Sequence, residues 1–299
     1  MPEGDTIFRT ARTLHRALAG KIVTRFESVL PLVTRVAEDY PVIGRQVESV
    51  VARGKHLLMV FSGDLTLHTH MRMNGSWHIY RIGERWQRPA RDMRVVVGTA
   101  DFVAVGFNVP IAELLSKRDV ARHKELRALG PDLIGVGTAE AVPNEQDDDD
   151  DTLSANIEIV RRLRARANDF IGDALLNQRV VAGIGNVLKS EILFVAGVDP
   201  FRPVGSFSED ELTRIVDVAR ELMRANVLGR SETLSPTIGR RTTRSLSGTG
   251  LRRGRGDLSP KLWVYARDGK LCRRCGTRIE SRKTGIDARL TYWCPVCQR

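Results

Sequence analysis

Apolar residues near the start of the chain recur at a helical period. Ile7, Ala11, Leu14 and Leu18 fall at i, i+4, i+7 and i+11 and form one stripe. Asp5 or Thr6 is placed to cap such a helix and Gly20 to end it. The pattern then shortens. Gln46 to Ala52 and His56 to Phe61 read as strands joined by the tight turn Arg53-Gly54-Lys55. Leu65 to Met73 alternates loosely, and Asn74-Gly75 is a hairpin signal before Ser76 to Tyr80. Arg94 to Gly98 and Phe102 to Phe107 add two more strands. Short strands at this spacing predict a sandwich or barrel. Ile111 to Ala128 is predicted to be a helix, stopped by Gly130-Pro131.

The unbroken acidic run Asp147 to Asp151, preceded by Pro143-Asn144, marks a flexible linker over 138–152. Helical periodicity returns from Leu153 to Asn177, breaks over Gln178 to Asn186, and resumes from Val187 to Ala196 before Gly197. Asn186 is a suitable N-cap. Gly183 and Gly185 let a backbone come close to a ligand, and a helix start offers N–H groups to a phosphate. A plain connector between helices would carry the same glycines. Ser208 and Glu211 form a capping box ahead of a stripe of Leu212, Ile215, Val216, Ala219 and Leu222. Residues 229–260 lack periodicity and carry Arg230, Arg240, Arg241, Arg244, Arg252, Arg253 and Arg255 among Gly, Ser and Thr. This stretch reads either as a basic loop that orders on nucleic acid or as a connection with incidental charge.

Composition narrows the partner. The 299 residues carry 47 Lys plus Arg against 36 Asp plus Glu, a formal charge of +11. That balance points to a polyanion, nucleic acid ahead of an anionic membrane. There is no apolar run of 18 or more residues and no basic-then-apolar leader, so neither a membrane partner nor export is expected. All four cysteines, Cys272, Cys275, Cys294 and Cys297, cluster at the C-terminal end as two C-x-x-C pairs with residues 276–293 between them. That spacing is that of a four-cysteine zinc ribbon, with a gap of about 15–20 residues. Four thiolates close the coordination sphere, so one structural zinc ion is expected, in a reducing compartment. Arg278, Arg282, Lys283 and Arg289 lie between the pairs, where a ribbon can hold an arginine against a backbone phosphate.

The first residues, Met1-Pro2-Glu3-Gly4-Asp5, carry candidate chemistry. Removal of Met1 would leave Pro2 with a secondary amine, and an α-amino group has a reference pKa of about 8. Such an amine attacking a sugar carbon gives an iminium that is cationic without a proton, an electron sink for elimination. Glu3 stands beside it as a carboxyl able to move a proton. Many chains begin Met-Pro, so these two residues decide nothing alone. Lys55, at a hairpin tip, reads equally as a solvated turn lysine. Arg72-Met73-Asn74 reads as a wedge for a DNA groove, or Met73 as core.

Taken together, the Met-Pro-Glu-Gly start, Arg53-Gly54-Lys55, Gln178 through Asn186 continuing to Glu191-Ile192-Leu193, and Val264-Tyr265-Ala266-Arg267 through Trp293-Cys294-Pro295-Val296-Cys297-Gln298 closely resemble the formamidopyrimidine-DNA glycosylase and endonuclease VIII family of base-excision repair enzymes. The resemblance implies an α+β multidomain chain. Its parts are an N-terminal catalytic β-sandwich with flanking helices over 1–137, the acidic linker at 138–152, and a helix-two-turn-helix DNA-binding domain over 153–228. A basic flexible loop at 229–261 and a β-hairpin zinc finger over 262–299 complete it. It implies Pro2 as Schiff-base nucleophile, Glu3 as the donor that opens the sugar, and Lys55 as the donor assisting β-elimination. Arg289 is implied to serve δ-elimination and Asn186 to bind phosphate. Arg72 is implied to contact DNA, with Met73 filling the gap left by an extruded base.

Departures bear on the lesion. Ala104-Val105-Gly106-Phe107-Asn108 stands where the guanine-directed branch has Asp-Pro-Arg-Arg-Phe-Gly, which favours the endonuclease VIII branch and oxidised pyrimidines. A further DNA-contacting Arg of that branch falls on Ala128; the adjacent Arg127 either takes over that contact or the contact is missing. The expected protein is a monomeric bifunctional glycosylase and AP lyase acting on damaged double-stranded DNA in the cytoplasm, at the nucleoid. The alternatives are the guanine-directed activity and a non-catalytic damaged-DNA-binding protein.

Overall fold

The computed structural model describes residues 2–135, 149–228, 262–285 and 287–299. They form two compact units, one over 2–127 and the other over 128–135, 149–226 and 262–299. Most of the 138–152 linker and all of the 229–261 loop lie outside the described residues.

In the first unit, helix α1 (Gly4–Leu18) starts directly after Glu3 and buries its predicted stripe of Ile7, Ala11, Leu14 and Leu18. Strand β1 (Arg25–Ser28) and helix α2 (Pro31–Asp39) lead into β2 (Val47–Arg53), β3 (His56–Phe61), β4 (Leu65–His70) and β5 (Ser76–Arg81). Strands β6 (Met93–Gly98), β7 (Phe102–Phe107) and β8 (Ile111–Ser116) follow, then helices α3 (Lys117–Arg122) and α4 (Lys124–Ala128). The strands make two antiparallel four-stranded sheets, β1-β6-β7-β5 and β2-β3-β4-β8. The unit is the β-sandwich that the resemblance implies. In the second sheet alternation sends Leu57, Met59, Phe61 and Leu67 to one face, where they are fully buried.

Three sequence expectations fail here. Neither Asp5 nor Thr6 caps α1: both lie inside it, and Glu3 holds the cap position without a side-chain bond. Asn74-Gly75 is not a hairpin: β4 and β5 belong to different sheets, and the chain crosses between them over 71–75. A type I′ hairpin needs positive φ at both central residues. Here the left-handed residue is Arg72, at φ 47, and the Gly75 N–H bonds the Met71 carbonyl at 2.9 Å. Gly75 is needed for close approach, since a Cβ there would lie 2.6 Å from that same carbonyl oxygen. The predicted helix Ile111 to Ala128 is instead β8 followed by two short helices. A short apolar run is ambiguous by period alone. The open edge of β4 settles it, pairing Thr69 with Ala112 and Leu67 with Leu114.

The second unit holds α5 (Asp149–Arg164), α6 (Ile171–Leu176), α7 (Asn186–Ala196) and α8 (Glu209–Leu228), then a hairpin of β9 (Glu280–Thr284) and β10 (Arg289–Trp293). Helix α5 begins within the acidic run, four residues before the predicted start. The single predicted helix Leu153 to Asn177 is broken after Arg164. Long-range backbone bonds at the break, Val204 N–H to Asp169 O and Gly205 N–H to Ala167 O, replace helical ones. The capping box forms as predicted, with Ser208 N–H to Glu211 Oε2 at 2.7 Å and Glu211 N–H to Ser208 Oγ at 3.2 Å. The α8 stripe is buried except that Met223 takes the deep place expected of Leu222.

Candidate nucleic-acid site and zinc centre

The first unit presents its predicted site residues on short connections. Pro2 and Glu3 enter α1. Both are buried, Glu3 completely, and the Glu3 carbonyl accepts the Ile7 N–H at 2.9 Å. Lys55 sits half-buried in the two-residue link between β2 and β3, where Gly54 supplies a φ of 58. Arg72 and Met73 occupy the crossover after β4. Met73 is 69% exposed, while its neighbour Met71 is fully buried, so the core role falls to Met71. His70 joins two of these positions. Its Nδ1 accepts the Arg72 N–H at 3.0 Å. Burial pushes the His70 imidazole down to about 4, with the Arg72 and Lys55 charges adding to the effect. Arg127 is exposed on α4.

In the second unit the loop before α7 is knitted by Gln178. Its amide donates to the Leu176 and Ile184 carbonyls at 2.8 and 2.9 Å and accepts the Gly183 N–H at 3.1 Å. Gly183 has a φ of 94, a conformation that glycine supplies without strain. The sequence expectation of Asn186 as N-cap is corrected. Gly185 holds the cap position without a side-chain bond, and Asn186 opens the helix. Its Nδ2 donates 2.8 Å to the Leu290 carbonyl, and its Oδ1 is buried without a protein partner. The reason lies in the tertiary structure: β10 passes over the start of α7 and takes the amide.

Helix α7 makes further polar contacts that sequence reasoning missed. Lys189, fully buried, donates from Nζ to Thr291 Oγ1 at 2.6 Å. Thr291 Oγ1 lies 3.1 Å from Thr284 Oγ1, which donates to Asp173 Oδ1 at 3.0 Å. Glu191 accepts the backbone N–H groups of Trp263, Val264 and Tyr265 at 2.8, 3.0 and 2.9 Å. Burial pushes the Glu191 carboxyl up, and these three bonds hold it back. The available signal was a lysine and a glutamate inside Val187-Leu188-Lys189-Ser190-Glu191-Ile192-Leu193-Phe194, a helix otherwise nearly apolar.

The four cysteine sulfurs converge to within 4.8 Å of one another. Cys275 and Cys294 Sγ are 3.4 Å apart, and Cys272 and Cys297 Sγ are 3.9 Å apart. Tetrahedral Zn–S bonds of about 2.3 Å place sulfurs about 3.8 Å apart, so the set fits one zinc ion with no open position. Cys272 and Cys294 pack with Phe194, Val264 and Ile279, which joins the metal module to α7. Arg289 opens β10, exposed, with a guanidinium nitrogen 3.2 Å from Asp287. Arg278 does not share that region. It pairs with Leu271 at the base of the module and donates to the Gly269 carbonyl at 2.9 Å.

Models of three families match the chain: the formamidopyrimidine-DNA glycosylase N-terminal domain over 1–110, its H2TH domain over 148–236, and the zinc finger found in FPG and IleRS over 269–299. Among curated relatives, "Probable endonuclease 8 2" of Streptomyces coelicolor is 40% identical over all of this chain and 94% of its own length. The chain belongs to the formamidopyrimidine-DNA glycosylase and endonuclease VIII family. A second member, "DNA-(apurinic or apyrimidinic site) lyase Nei2" of Mycolicibacterium smegmatis, is 38% identical over 100% of this chain and 99% of its own. Endonuclease 8 of Escherichia coli is 31% identical over the full length of both. The fold is that of the Lactococcus lactis Fpg solved with abasic-site DNA, at a TM-score of 0.75, 23% identity and 99% coverage of each chain. The family places the protein among DNA-binding base-excision repair enzymes with glycosylase and AP lyase activity, carrying one structural zinc. None of its described helices is long and apolar enough to cross a membrane.

Proposed function

We propose that the enzyme removes oxidised bases, pyrimidines in preference, from damaged duplex DNA and cuts the strand by β,δ-elimination through an N-terminal proline Schiff base. With Met1 removed, the Pro2 nitrogen attacks C1′ of the damaged nucleotide and the base leaves with the glycosidic electron pair. Glu3 protonates the ring oxygen, which opens the sugar and leaves an iminium. Loss of a C2′ proton then expels the 3′ phosphate, with Lys55 as the proton donor assisting this β-elimination, and Arg289 serves the second elimination. The observation that carries this reading is the placement of Pro2 and a fully buried Glu3 at the first turn of α1, where water is excluded from the proton donor.

Asn186 is proposed to contact backbone phosphate, Arg127 and Arg72 to contact the DNA, and exposed Met73 to fill the gap left by the flipped base. The pyrimidine preference is supported by the place of Ala104 to Phe107, which lie in β7 as buried core. Function as a monomer, at the nucleoid in the cytoplasm, belongs to the same proposal. So do the domain bounds 1–137, 138–152, 153–228, 229–261 and 262–299.

The test is strand nicking on duplexes that each carry one defined lesion, with borohydride present in a parallel set. Thymine glycol cut faster than oxidised guanine, with a covalent adduct lost in Pro2→Ala, supports the proposal. The reverse order of lesions supports guanine-directed activity. Binding with neither nicking nor adduct supports a non-catalytic protein.

A further inference from the structure

Three histidines and a glutamate of the first unit come together although the sequence spreads them over 56–123. The sheet register brings three of them to one face. Cross-strand partners share a face, and His68 is opposite Glu113 on β8 and opposite Leu58 on β3. His56 lies two residues before Leu58, hence on the same face. Leu57, Met59 and Leu67 point the other way, into the core. His123 comes from outside the sheet. The helical path breaks there, between α3 and α4, with His123 at φ −61 and ψ 118. That break sets its ring edge-on to His68 with centroids 5.0 Å apart.

The donor atoms converge. His68 Nδ1 is 2.8 Å and His123 Nε2 is 3.1 Å from the same oxygen, Glu113 Oε2, and all three atoms lie within 4.8 Å of one another. The other nitrogen of His68 is 2.8 Å from His56 Nδ1. The His68 side chain is 1% exposed, that of His123 17% and that of Glu113 39%, so the cluster is anchored in the fold and open to solvent on the carboxylate side.

We propose that His68, Glu113 and His123 form a second metal site that takes a borderline divalent cation, zinc before others. Two imidazoles and one carboxylate are the donor set of three-ligand zinc sites, and the nitrogen donors disfavour calcium and magnesium, which prefer oxygen. Zn–N and Zn–O bonds of about 2.0–2.1 Å set tetrahedral donors about 3.3 Å apart. The two short separations need only a slight opening. With a cation on Nδ1, His68 carries its proton on Nε2 and donates it to His56, the outer partner that orients a ligand imidazole. The fourth position falls to water on the Glu113 side. Unlike the closed four-thiolate centre, this site has three protein ligands and exchanges its ion readily. An ion here ties α3–α4 to β4 and β8. Strand β4 runs directly into the crossover that carries Arg72 and Met73, and His56 directly follows Lys55.

The experiment counts metal on the full chain. Protein carrying zinc in its four-cysteine centre is dialysed against buffered micromolar free zinc, and bound zinc per chain is measured by inductively coupled plasma mass spectrometry. Two per chain are expected in the wild type, falling to one in Glu113→Gln and in His123→Gln. The second variant removes a ligand from an exposed helix break and keeps the sheet intact. Cobalt added to wild type that carries zinc in its four-cysteine centre alone should give weak visible ligand-field bands without the intense thiolate absorption of the cysteine centre, and neither variant should give them. One zinc per chain in the wild type overturns the proposal. So does a second ion that persists unchanged in both variants.

Discussion

Lys189 has no exposed surface, yet it carries an ammonium group into the contact between α7 and β10. A buried charge is tolerated only when its donors are matched. Thr291→Val keeps the shape and removes one acceptor, which should lower the unfolding free energy of the zinc-loaded protein by about 1–3 kcal/mol in urea titration. An unchanged midpoint would remove Thr291 from the account. His78 makes a different prediction. Burial, assisted by the Arg88 charge, pushes its imidazole down to about 4 from an ordinary 6.5, and its ring packs on Tyr80 and Phe107. Folding therefore keeps His78 neutral at pH values where the unfolded chain takes up a proton. Its contribution is complete above pH 6.5 and is lost as pH falls from 6.5 toward 4. In that window the wild type should lose about 1.4 kcal/mol per pH unit more than His78→Phe, as followed by denaturation at several pH values.

Elements differ in how far their own residues dictate them. The capping box of α8 is local chemistry, two reciprocal bonds between Ser208 and Glu211, and it was legible in the sequence for that reason. Ser208→Ala should cost about 1 kcal/mol in thermal or chemical unfolding, with the zinc content unchanged. The α1 stripe, β3 and β7 were equally legible, because their periods match the faces they bury. Helix α5 and strand β8 show the limit. Nothing in Leu153 to Asn177 says that the chain leaves the helix after Arg164, because the groups that receive it lie at 204 and 205. Nothing in Ile111 to Ser116 says strand, because the deciding partner is the open edge of β4, more than forty residues away. Asn186 belongs to the same class: its residue type suits a cap, but the carbonyl of Leu290 claims the amide.

The whole molecule carries a formal charge of +11. Binding to a lesion duplex should weaken with salt along a straight log–log line, each neutralised phosphate adding about 0.9 to the slope. Fluorescence anisotropy across salt concentrations reads it directly, and an affinity that barely moves would contradict a phosphate-dominated interface. Zinc removal is the second test at this scale. The metal holds a module whose core also includes Phe194 of α7, so a strong chelator should abolish DNA binding while the β-sandwich stays folded, read as its resistance to limited proteolysis. Retained tight binding by metal-free protein would refute a role for the module in holding DNA. The sequence by itself determined the four-cysteine zinc site, the basic charge and the family, because each rests on residue type or on motifs at short spacing. Tertiary structure alone decided that β4 and β5 part into two sheets, that Met71 and not Met73 is core, and that His68, Glu113 and His123 meet. Those outcomes depend on which distant backbone and side chain reach the same place, and spacing along a chain does not encode that.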